Sequence, residues 1–186
     1  MIKAILIFFI FSSFLILTAS ADVNGTDSVL PAHTELPLMN DSQNVSLSPD
    51  PVSEMVSFVK EAVAYSKATP REEALAEFSD RNGSFFRGNL YIYAYDFDGV
   101  TIAHPLQTEL IGKSRLMEED AAGGLFIKNL RDTAVNNTGF VVFYYVNPAH
   151  NNTIEKKLGY VEKVDDAWWL GSGIYGENVT LPNLTF

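Results

Sequence analysis

The chain has 186 residues, contains no cysteine and carries a formal net charge of −10 at pH 7. This length suits one folded domain with flanking segments, and the lack of cysteine excludes disulfide bonds, thiolate metal sites and a lipid anchor attached through cysteine. The net negative charge argues against nucleic acid and anionic membrane surfaces as partners.

Residues 1–21 are typical of a signal peptide. Lys3 precedes a long uncharged apolar run, and the small residues Ala19 and Ala21 fit a signal-peptidase site. A retained N-terminal anchor is the alternative, because the segment from Ala4 to Ala21 carries no charge and is close to the shortest that spans a bilayer. Both interpretations predict that the rest of the chain is exported and is extracellular or at the cell surface.

Asparagines in glycosylation triplets are unusually frequent. Eight of the thirteen asparagines begin an Asn-x-Ser/Thr triplet, whereas the Ser and Thr content alone gives about two. This excess predicts a glycoprotein. The candidate acceptors are Asn24, Asn40, Asn44, Asn82, Asn136, Asn151, Asn178 and Asn183.

The first structured elements are predicted to be two helices. Residues 22–49 are rich in Asp, Asn, Ser, Thr and Pro, which predicts a flexible, glycosylated spacer. Asp50 and Pro51 then form an N-cap followed by proline at the first helical position, ahead of apolar residues at helical spacing. A capping box that begins at Thr69 predicts the start of a short second helix, which ends near Phe78.

Tyrosines alternate with aliphatic residues in the segment from Asn89 to Pro105. The sequence Asp98-Gly99 gives a two-residue turn signal, and the chain then returns towards His104, so the segment is predicted to form a hairpin. Because side chains alternate along a strand, one face of this hairpin carries three phenols with an imidazole near its end. This face is the candidate site, and its tyrosines are Tyr91, Tyr93 and Tyr95.

The second half of the chain is predicted to contain one helix and three strands. A loop with Lys113 and Arg115 follows the hairpin, and a helix is expected from about Leu125 to Ala134, capped by Asp120 or a nearby residue. Three strand-like segments joined by short turns then predict an antiparallel meander: Phe140 to Val146, Lys157 to Val164, and Trp168 to Tyr175. Residues 177–186 are expected to form a tail.

This order of elements predicts an α+β domain. The hairpin and the meander supply a five-stranded antiparallel sheet, and the helices are expected to pack on one of its faces. Trp168 and Trp169 are expected to place one ring in the core and the other at the surface.

An ordered series of motifs runs through the predicted domain. It comprises Gly83-Ser84-Phe85-Phe86, Leu90-Tyr91-Ile92-Tyr93, Asp96-Phe97-Asp98-Gly99, Ala103-His104-Pro105, Ile111-Gly112-Lys113, Gly139-Phe140, Tyr144-Tyr145, Asn147-Pro148, Lys157-Leu158-Gly159-Tyr160-Val161 and Trp169-Leu170-Gly171-Ser172-Gly173-Ile174-Tyr175. In this series the chain resembles the single Cache domain family, in its second-type subfamily of extracellular sensor modules. The resemblance implies a PAS-like sheet behind a long N-terminal helix, in a domain spanning residues 50–176, with a small pocket for an organic ligand, often a carboxylate.

A carboxylate pocket needs hydrogen-bond donors for the oxygens and an apolar wall for the carbon atoms. By the resemblance, such a pocket draws on the tyrosines of the first hairpin, the histidine of the Ala-His-Pro motif, and aromatic or basic residues of the later strands. The ligand-binding candidates are Tyr91, Tyr93, His104, Lys113, Tyr144, Lys157 and Tyr160.

Each candidate also has a purely structural interpretation. Tyrosines on strands are often core or rim residues, and a histidine before a proline, such as His104, could cap a turn. Tyr144 and Tyr145 point to opposite faces of a strand, so only one of them can line a pocket. Arg115 is a further possible donor, but a cation in a loop is ordinarily solvated, and we expect this of Arg115.

The sequence offers no constellation for catalysis or for metal binding. Its three histidines are scattered, and Ser172 lacks the spacing of a nucleophile elbow. We therefore predict neither an enzyme nor a cofactor. The expected function is to bind a small organic ligand, with a carboxylate suspected, and to act through a membrane signalling or envelope partner protein, because no transmitter segment follows the domain. The alternative is a glycosylated structural component of the cell envelope without an obligatory ligand.

Overall fold

The computed structural model describes residues 50–182 of the chain. The predicted signal peptide, the spacer and the end of the predicted tail lie outside the described residues. Within them are the helices α1 (Pro51–Ala68), α2 (Arg71–Ser79) and α3 (Phe126–Val135), together with the strands β1 (Phe86–Arg87), β2 (Leu90–Tyr91), β3 (Tyr93–Asp96), β4 (Thr101–Ala103), β5 (Thr138–Asn147), β6 (Thr153–Lys163) and β7 (Trp168–Tyr175).

Five strands form one antiparallel sheet in the order β4-β3-β7-β6-β5. The β3–β4 hairpin joins the meander through β7, where Tyr93 pairs with Gly171 and Tyr95 with Trp169. The predicted α+β architecture, with its five-stranded antiparallel sheet, long N-terminal helix and connecting helix, is therefore confirmed. The strands β1 and β2 form a separate two-stranded ladder.

The N-terminal helix begins where the sequence predicts. Asp50 is the N-cap of α1, its carboxylate accepts a hydrogen bond from the backbone nitrogen of Ser53 at 3.2 Å, and Pro51 occupies the first helical position. The apolar stripe of α1, which includes Met55 and Val59, is buried. These contacts fix the helix across β6 and β7.

The starts of the other two helices differ from the prediction. The carbonyl of Pro70 accepts the first hydrogen bond of α2 from Ala74, so the helix begins one residue too late for Thr69 to cap it, and no side chain caps α2. Likewise, no side chain caps α3. Asp120 instead organises the preceding loop, because its carboxylate accepts hydrogen bonds from the backbone nitrogens of Gly124 at 2.8 Å and Tyr144 at 3.0 Å.

The helices cover both faces of the sheet, so the prediction that they share one face is wrong. The core on one face combines α1 and α2 with strand residues such as Leu158 and Leu170, whereas α3 packs on the other face against the tyrosines of the hairpin. Trp168 and Trp169 point to opposite faces and are both fully buried, which corrects the expectation of one exposed ring. The phenol face of the hairpin is therefore enclosed.

The turn of the β3–β4 hairpin has three residues rather than two. Asp96 and Val100 close the turn through a backbone hydrogen bond of 3.1 Å, which leaves 97–99 as the loop. Gly99 has φ +73°, and a Cβ atom there would lie 2.4 Å from the side chain of Leu116, so both backbone angle and space require glycine.

Among residues 50–182, no helix has both the length and the apolar character needed to cross a bilayer.

Candidate ligand-binding site

Three phenols line the sheet face that α3 covers. Tyr91, Tyr93 and Tyr95 are all buried and belong to the same core as Phe126 of α3. Gly171 of β7 leaves space for the ring of Tyr93, because a Cβ atom at this position would lie only 2.9 Å from that ring. The predicted single-faced row of tyrosines is confirmed.

Lys157 brings a buried positive charge to this row. Its side chain is 1% exposed, and its Nζ donates hydrogen bonds to the hydroxyls of Tyr91 at 2.9 Å and Tyr175 at 3.2 Å. The same nitrogen lies 4.5 Å from the centres of both rings, a favourable cation–π distance. Burial lowers the pKa of Lys157 to about 7. None of the ion pairs formed within residues 50–182 includes this lysine.

Hydrogen-bond directions around Lys157 follow from counting protons. The hydroxyl of Tyr175 donates its one proton to the carbonyl of Val146 at 2.7 Å, so it can only accept from Lys157 and from Tyr91, 3.4 Å away. Lys157 has three N–H donors, and the two phenols use two of them. One N–H of the ammonium group therefore has no acceptor among the described residues.

Arg115 is the second cation of the site, and its place corrects the expectation of a solvated loop residue. It is 5% exposed, and its guanidinium donates to the hydroxyls of Tyr95 at 2.7 Å and Tyr145 at 3.2 Å. Glu118 accepts two more hydrogen bonds from it, both of 2.6 Å. The ring of Phe126 lies 5.3 Å from the guanidinium carbon. Unlike Lys157, Arg115 thus has a carboxylate partner within the protein.

His104 caps a turn and also lines the cavity. Its position therefore agrees both with the structural interpretation, a turn cap, and with the prediction that it belongs to the pocket. Its Nδ1 accepts hydrogen bonds from the backbone nitrogens of Leu106 at 3.2 Å and Gln107 at 3.0 Å. Burial, together with the nearby charges of Lys157 and Arg115, lowers the pKa of His104 to about 3. The ring is therefore neutral near pH 7, its proton is on Nε2, and that nitrogen is a donor.

The space enclosed by these residues is small and has a mixed lining. Its lining residues include polar ones, such as Lys157, His104 and the tyrosines, and apolar ones from α3 and β5, such as Ile127 and Phe143. The free volume is about 10 Å³, which is room for about one water molecule. A carbon-containing ligand must therefore displace side chains as it binds.

A larger depression lies next to this cavity and shares lining residues with it. Its volume is about 230 Å³, and Tyr91, His104 and Tyr145 line both spaces. Gln107, which also lines the depression, accepts a hydrogen bond from the hydroxyl of Tyr145. Tyr145 thus lines both spaces, and its hydroxyl is hydrogen-bonded to a residue of the depression.

The structure gathers four of the seven predicted ligand-binding residues around the cavity: Tyr91, Tyr93, His104 and Lys157. The other three lie elsewhere. Lys113 is exposed in its loop, and Tyr144 is 39% exposed on the side of β5 that faces away from Lys157. Tyr160 belongs to the core on the opposite face of the sheet, where its ring packs 4.9 Å from that of Phe140.

Several residues that complete the site are not among the seven predicted ligand-binding residues, although the sequence had placed Tyr95 on the candidate face: Tyr95, Arg115, Glu118, Tyr145 and Tyr175. The sequence contained a signal for two of them. Tyr145 lies two residues from the cavity-lining Phe143, so the alternation of side chains along a strand puts both on the same face. Tyr175 pairs directly with Lys157 across β6 and β7. No local pattern could place Glu118, because its role depends on the burial of Arg115.

Four candidate glycosylation sites fall among the described residues, and all four asparagines are exposed: Asn82, Asn136, Asn151 and Asn178. An attached glycan needs such exposure, and occupancy stays a prediction. The other four acceptors lie outside the described residues. Over residues 50–182, no group of three or more His, Cys, Asp and Glu side chains is arranged to hold a metal ion.

A family model described as Single Cache domain 2 matches residues 40–183 of the chain. Among curated proteins, the sensor histidine kinase MctS of Rhizobium johnstonii (strain DSM 114642 / LMG 32736 / 3841) is 32% identical over 90 residues. That match covers 48% of this chain and 19% of the kinase. The chain thus spans about a fifth of the length of this relative.

Two solved structures resemble the chain in fold and sequence. A methyl-accepting chemotaxis protein from Vibrio parahaemolyticus RIMD 2210633 superposes with a TM-score of 0.60 and 25% identity, over 68% of this chain and 89% of that chain. A Cache chemosensory domain, solved to give the structural basis of its carboxylic acid recognition, superposes with a TM-score of 0.52 and 25% identity, over 67% of this chain and 86% of that chain.

Proposed function

Because the chain belongs to the single Cache domain 2 family, we propose that it is an extracellular sensor module that binds a small carboxylate beside Lys157. Modules of this family are sensor domains that bind ligands outside the cytoplasm. The observation that carries the proposal is a buried ammonium group with no carboxylate partner in the described residues, next to a cavity with an apolar wall.

An uncompensated buried cation is costly, and this cost gives the proposal its physical basis. Moving an ammonium group out of water costs several kcal/mol, which the two phenols recover only in part. A ligand carboxylate would supply the missing negative charge and a charge-assisted hydrogen bond to the open N–H of Lys157. The neutral His104 offers a second donor, from Nε2, to the other carboxylate oxygen.

The apolar part of the cavity limits the rest of the ligand. Ile127, Leu130 and Phe143 offer no hydrogen-bonding groups from their side chains, so they suit methyl and methylene groups rather than hydroxyls or a second charge. The small free volume favours acids of two to four carbon atoms. The Cache chemosensory domain with known carboxylic acid recognition supports the same ligand class.

Signal output is proposed to pass to a kinase-type or chemoreceptor-type signalling partner. The relatives that carry this argument are a sensor histidine kinase and a methyl-accepting chemotaxis protein. In the present chain, ligand binding must displace side chains such as Tyr145 and Gln107, so the bound and free states differ in shape. A partner that contacts this region can distinguish the two states.

A second candidate function is that of a glycosylated structural component of the cell envelope. Four exposed acceptor asparagines favour it, and so does the near absence of free volume in the cavity. This alternative predicts that the fold is complete without a ligand.

A thermal-shift panel separates the two functions. The full exported chain is heated with acetate, propionate, butyrate, pyruvate, lactate, succinate and a set of amino acids, in a buffer free of carboxylates. The sensor proposal predicts that at least one short acid raises the melting temperature in a concentration-dependent way, because the ligand binds only the folded state. If none of these compounds raises it, the proposal fails and the structural alternative gains support.

A further inference from the structure

The two cations of the cavity differ in their charge balance. Arg115 forms a bidentate ion pair with Glu118, with N···O distances of 2.6 Å from both Nε and Nη2. Lys157 forms no ion pair with any residue of 50–182. The charge of Arg115 is balanced by Glu118, and His104 is neutral. Lys157 is therefore the cation of the cavity whose charge no ion pair balances among the described residues.

The hydrogen-bond donors of Arg115 are also almost fully used. A guanidinium has five N–H donors. Glu118 takes two, and the hydroxyls of Tyr95 and Tyr145 take one each. One N–H on Nη1 is left, which cannot form the paired hydrogen bonds by which arginine holds a carboxylate.

Both cations are nevertheless within reach of the same ligand. Arg115 and Lys157 line the same cavity, and the charged groups of both lie 5.6 Å from the centre of the Tyr145 ring. If the guanidinium were free, a small dicarboxylate could place one carboxylate on each cation. The side chain of Glu118 is 44% exposed, and its carboxylate accepts the paired hydrogen bonds of the Arg115 guanidinium that a second ligand carboxylate would need.

We propose that Glu118 is a specificity-determining residue that restricts this pocket to monocarboxylates by holding the guanidinium of Arg115. This inference rests on the proposed binding of a carboxylate beside Lys157. A second carboxylate next to Arg115 would meet the negative charge of Glu118 and would lose its water without gaining a paired cation. Discrimination then comes from repulsion against the wrong ligand as well as from attraction to the right one.

The test compares ligands that have the same carbon skeleton and differ in charge. Titration calorimetry measures the binding of propionate and malonate, and of butyrate and succinate, to the wild-type protein and to Glu118→Gln. Glu119→Gln is the matched control, because it removes the same charge from an exposed neighbour that forms no ion pair within residues 50–182. Glutamine at position 118 keeps the shape of the side chain, and circular dichroism checks the fold.

The wild type is expected to bind each monocarboxylate at least about tenfold more tightly than its dicarboxylate partner. Glu118→Gln should reduce this ratio by about tenfold, and Glu119→Gln should leave it unchanged. An unchanged ratio in Glu118→Gln, or wild-type binding of dicarboxylates as tight as that of monocarboxylates, overturns the role of Glu118 while the proposed function stands. If no acid binds to the wild type, the proposed function fails and the inference fails with it.

A comparison on the wild type alone avoids any folding defect of the variant. Monomethyl malonate has the skeleton of malonate and only one negative charge. The proposal predicts that it binds at least about tenfold more tightly than malonate, although it is larger. Equal or weaker binding of the ester overturns selection by charge.

Discussion

The Nζ of Lys157 lies 2.9 Å from the hydroxyl oxygen of Tyr91, and no ion pair within residues 50–182 involves this lysine. Aromatic rings surround the ammonium group, with those of Tyr91 and Tyr175 both 4.5 Å away. Phenols solvate a cation but do not neutralise it. The buried charge therefore destabilises the free folded protein, and an anionic ligand would remove this destabilisation.

The cost should be visible as a pH-dependent stability. Burial lowers the pKa of Lys157 to about 7 in the folded state, whereas an unfolded lysine titrates near 10.4. Between these values the unfolded state binds one more proton, so the free energy of unfolding rises with pH by about 1.4 kcal/mol per unit from this group. Below pH 7 both states are protonated and the full cost is present.

The variant Lys157→Met should therefore be more stable than the wild type at pH 7 and should gain less at pH 9. We expect the difference in free energy of unfolding between the two proteins to shrink by about 2 kcal/mol between pH 7 and pH 9, because Lys157 is already half deprotonated at pH 7 in the folded state. Urea denaturation at both pH values measures it. A difference that stays constant with pH would show that Lys157 is not an uncompensated buried cation.

Ligand affinity should depend on the same proton. A bound carboxylate raises the pKa of Lys157, so binding above pH 7 requires proton uptake by the protein. The dissociation constant for propionate should rise by up to about tenfold per pH unit above pH 7. Calorimetry at pH 8 in phosphate and in Tris should show uptake of about 0.9 proton, and at pH 6 almost none. Equal affinity at pH 6 and pH 8 in both buffers would contradict the role of Lys157.

Tyr145 and Tyr144 form a matched pair of neighbouring tyrosines on opposite sides of β5. The hydroxyl of Tyr145 accepts from Arg115 and donates to Gln107, whereas that of Tyr144 has no hydrogen-bond partner among the described residues. Tyr145→Phe should lower the free energy of unfolding by about 1–2 kcal/mol and change ligand affinity. Tyr144→Phe should do neither. Denaturation and calorimetry on both variants check this, and equal behaviour of the two would remove Tyr145 from the site.

Gly173 provides the space for the side chain of Lys157. A Cβ atom at this position would lie 2.4 Å from the Cε of Lys157 and 3.0 Å from the carbonyl oxygen of Leu158. Gly173→Ala should destabilise the protein by about 1–3 kcal/mol through overpacking. In a Lys157→Ala background most of this cost should disappear, as a double-mutant cycle by urea denaturation would show. Additive effects would mean that the two residues do not compete for space.

Local patterns in the sequence were sufficient for the fold class, for the order of the main elements and for one wall of the site. The alternation of tyrosines placed Tyr91 and Tyr93 on one face, and Asp50 with Pro51 marked the start of α1, because both signals depend on neighbours in the chain. The same rule applied more strictly would have separated Lys157 from Tyr160. Residues three apart on a strand point to opposite faces, and the structure places these two in different cores.

The burial of Arg115 could not be predicted in this way. It depends on Tyr95 from β3, Tyr145 from β5 and Phe126 from α3, which only the tertiary structure brings together. The packing of α3 on the second face of the sheet also depends on contacts between residues that are far apart in the sequence. The pattern of apolar residues in α3 does not indicate which face of the sheet the helix covers, and α3 is part of the core that buries Trp169.

The role of Lys157 is tested most directly by calorimetric titration of propionate at pH 6.5 into the wild type, Lys157→Met and Lys156→Met. Lys156 is the neighbouring lysine on the opposite side of β6 and forms no ion pair in the described residues, so it controls for loss of charge. We expect one-to-one binding with the same affinity for the wild type and Lys156→Met, and binding weakened at least about 100-fold in folded Lys157→Met. Binding of propionate by folded Lys157→Met with wild-type affinity would show that this buried lysine does not hold the ligand.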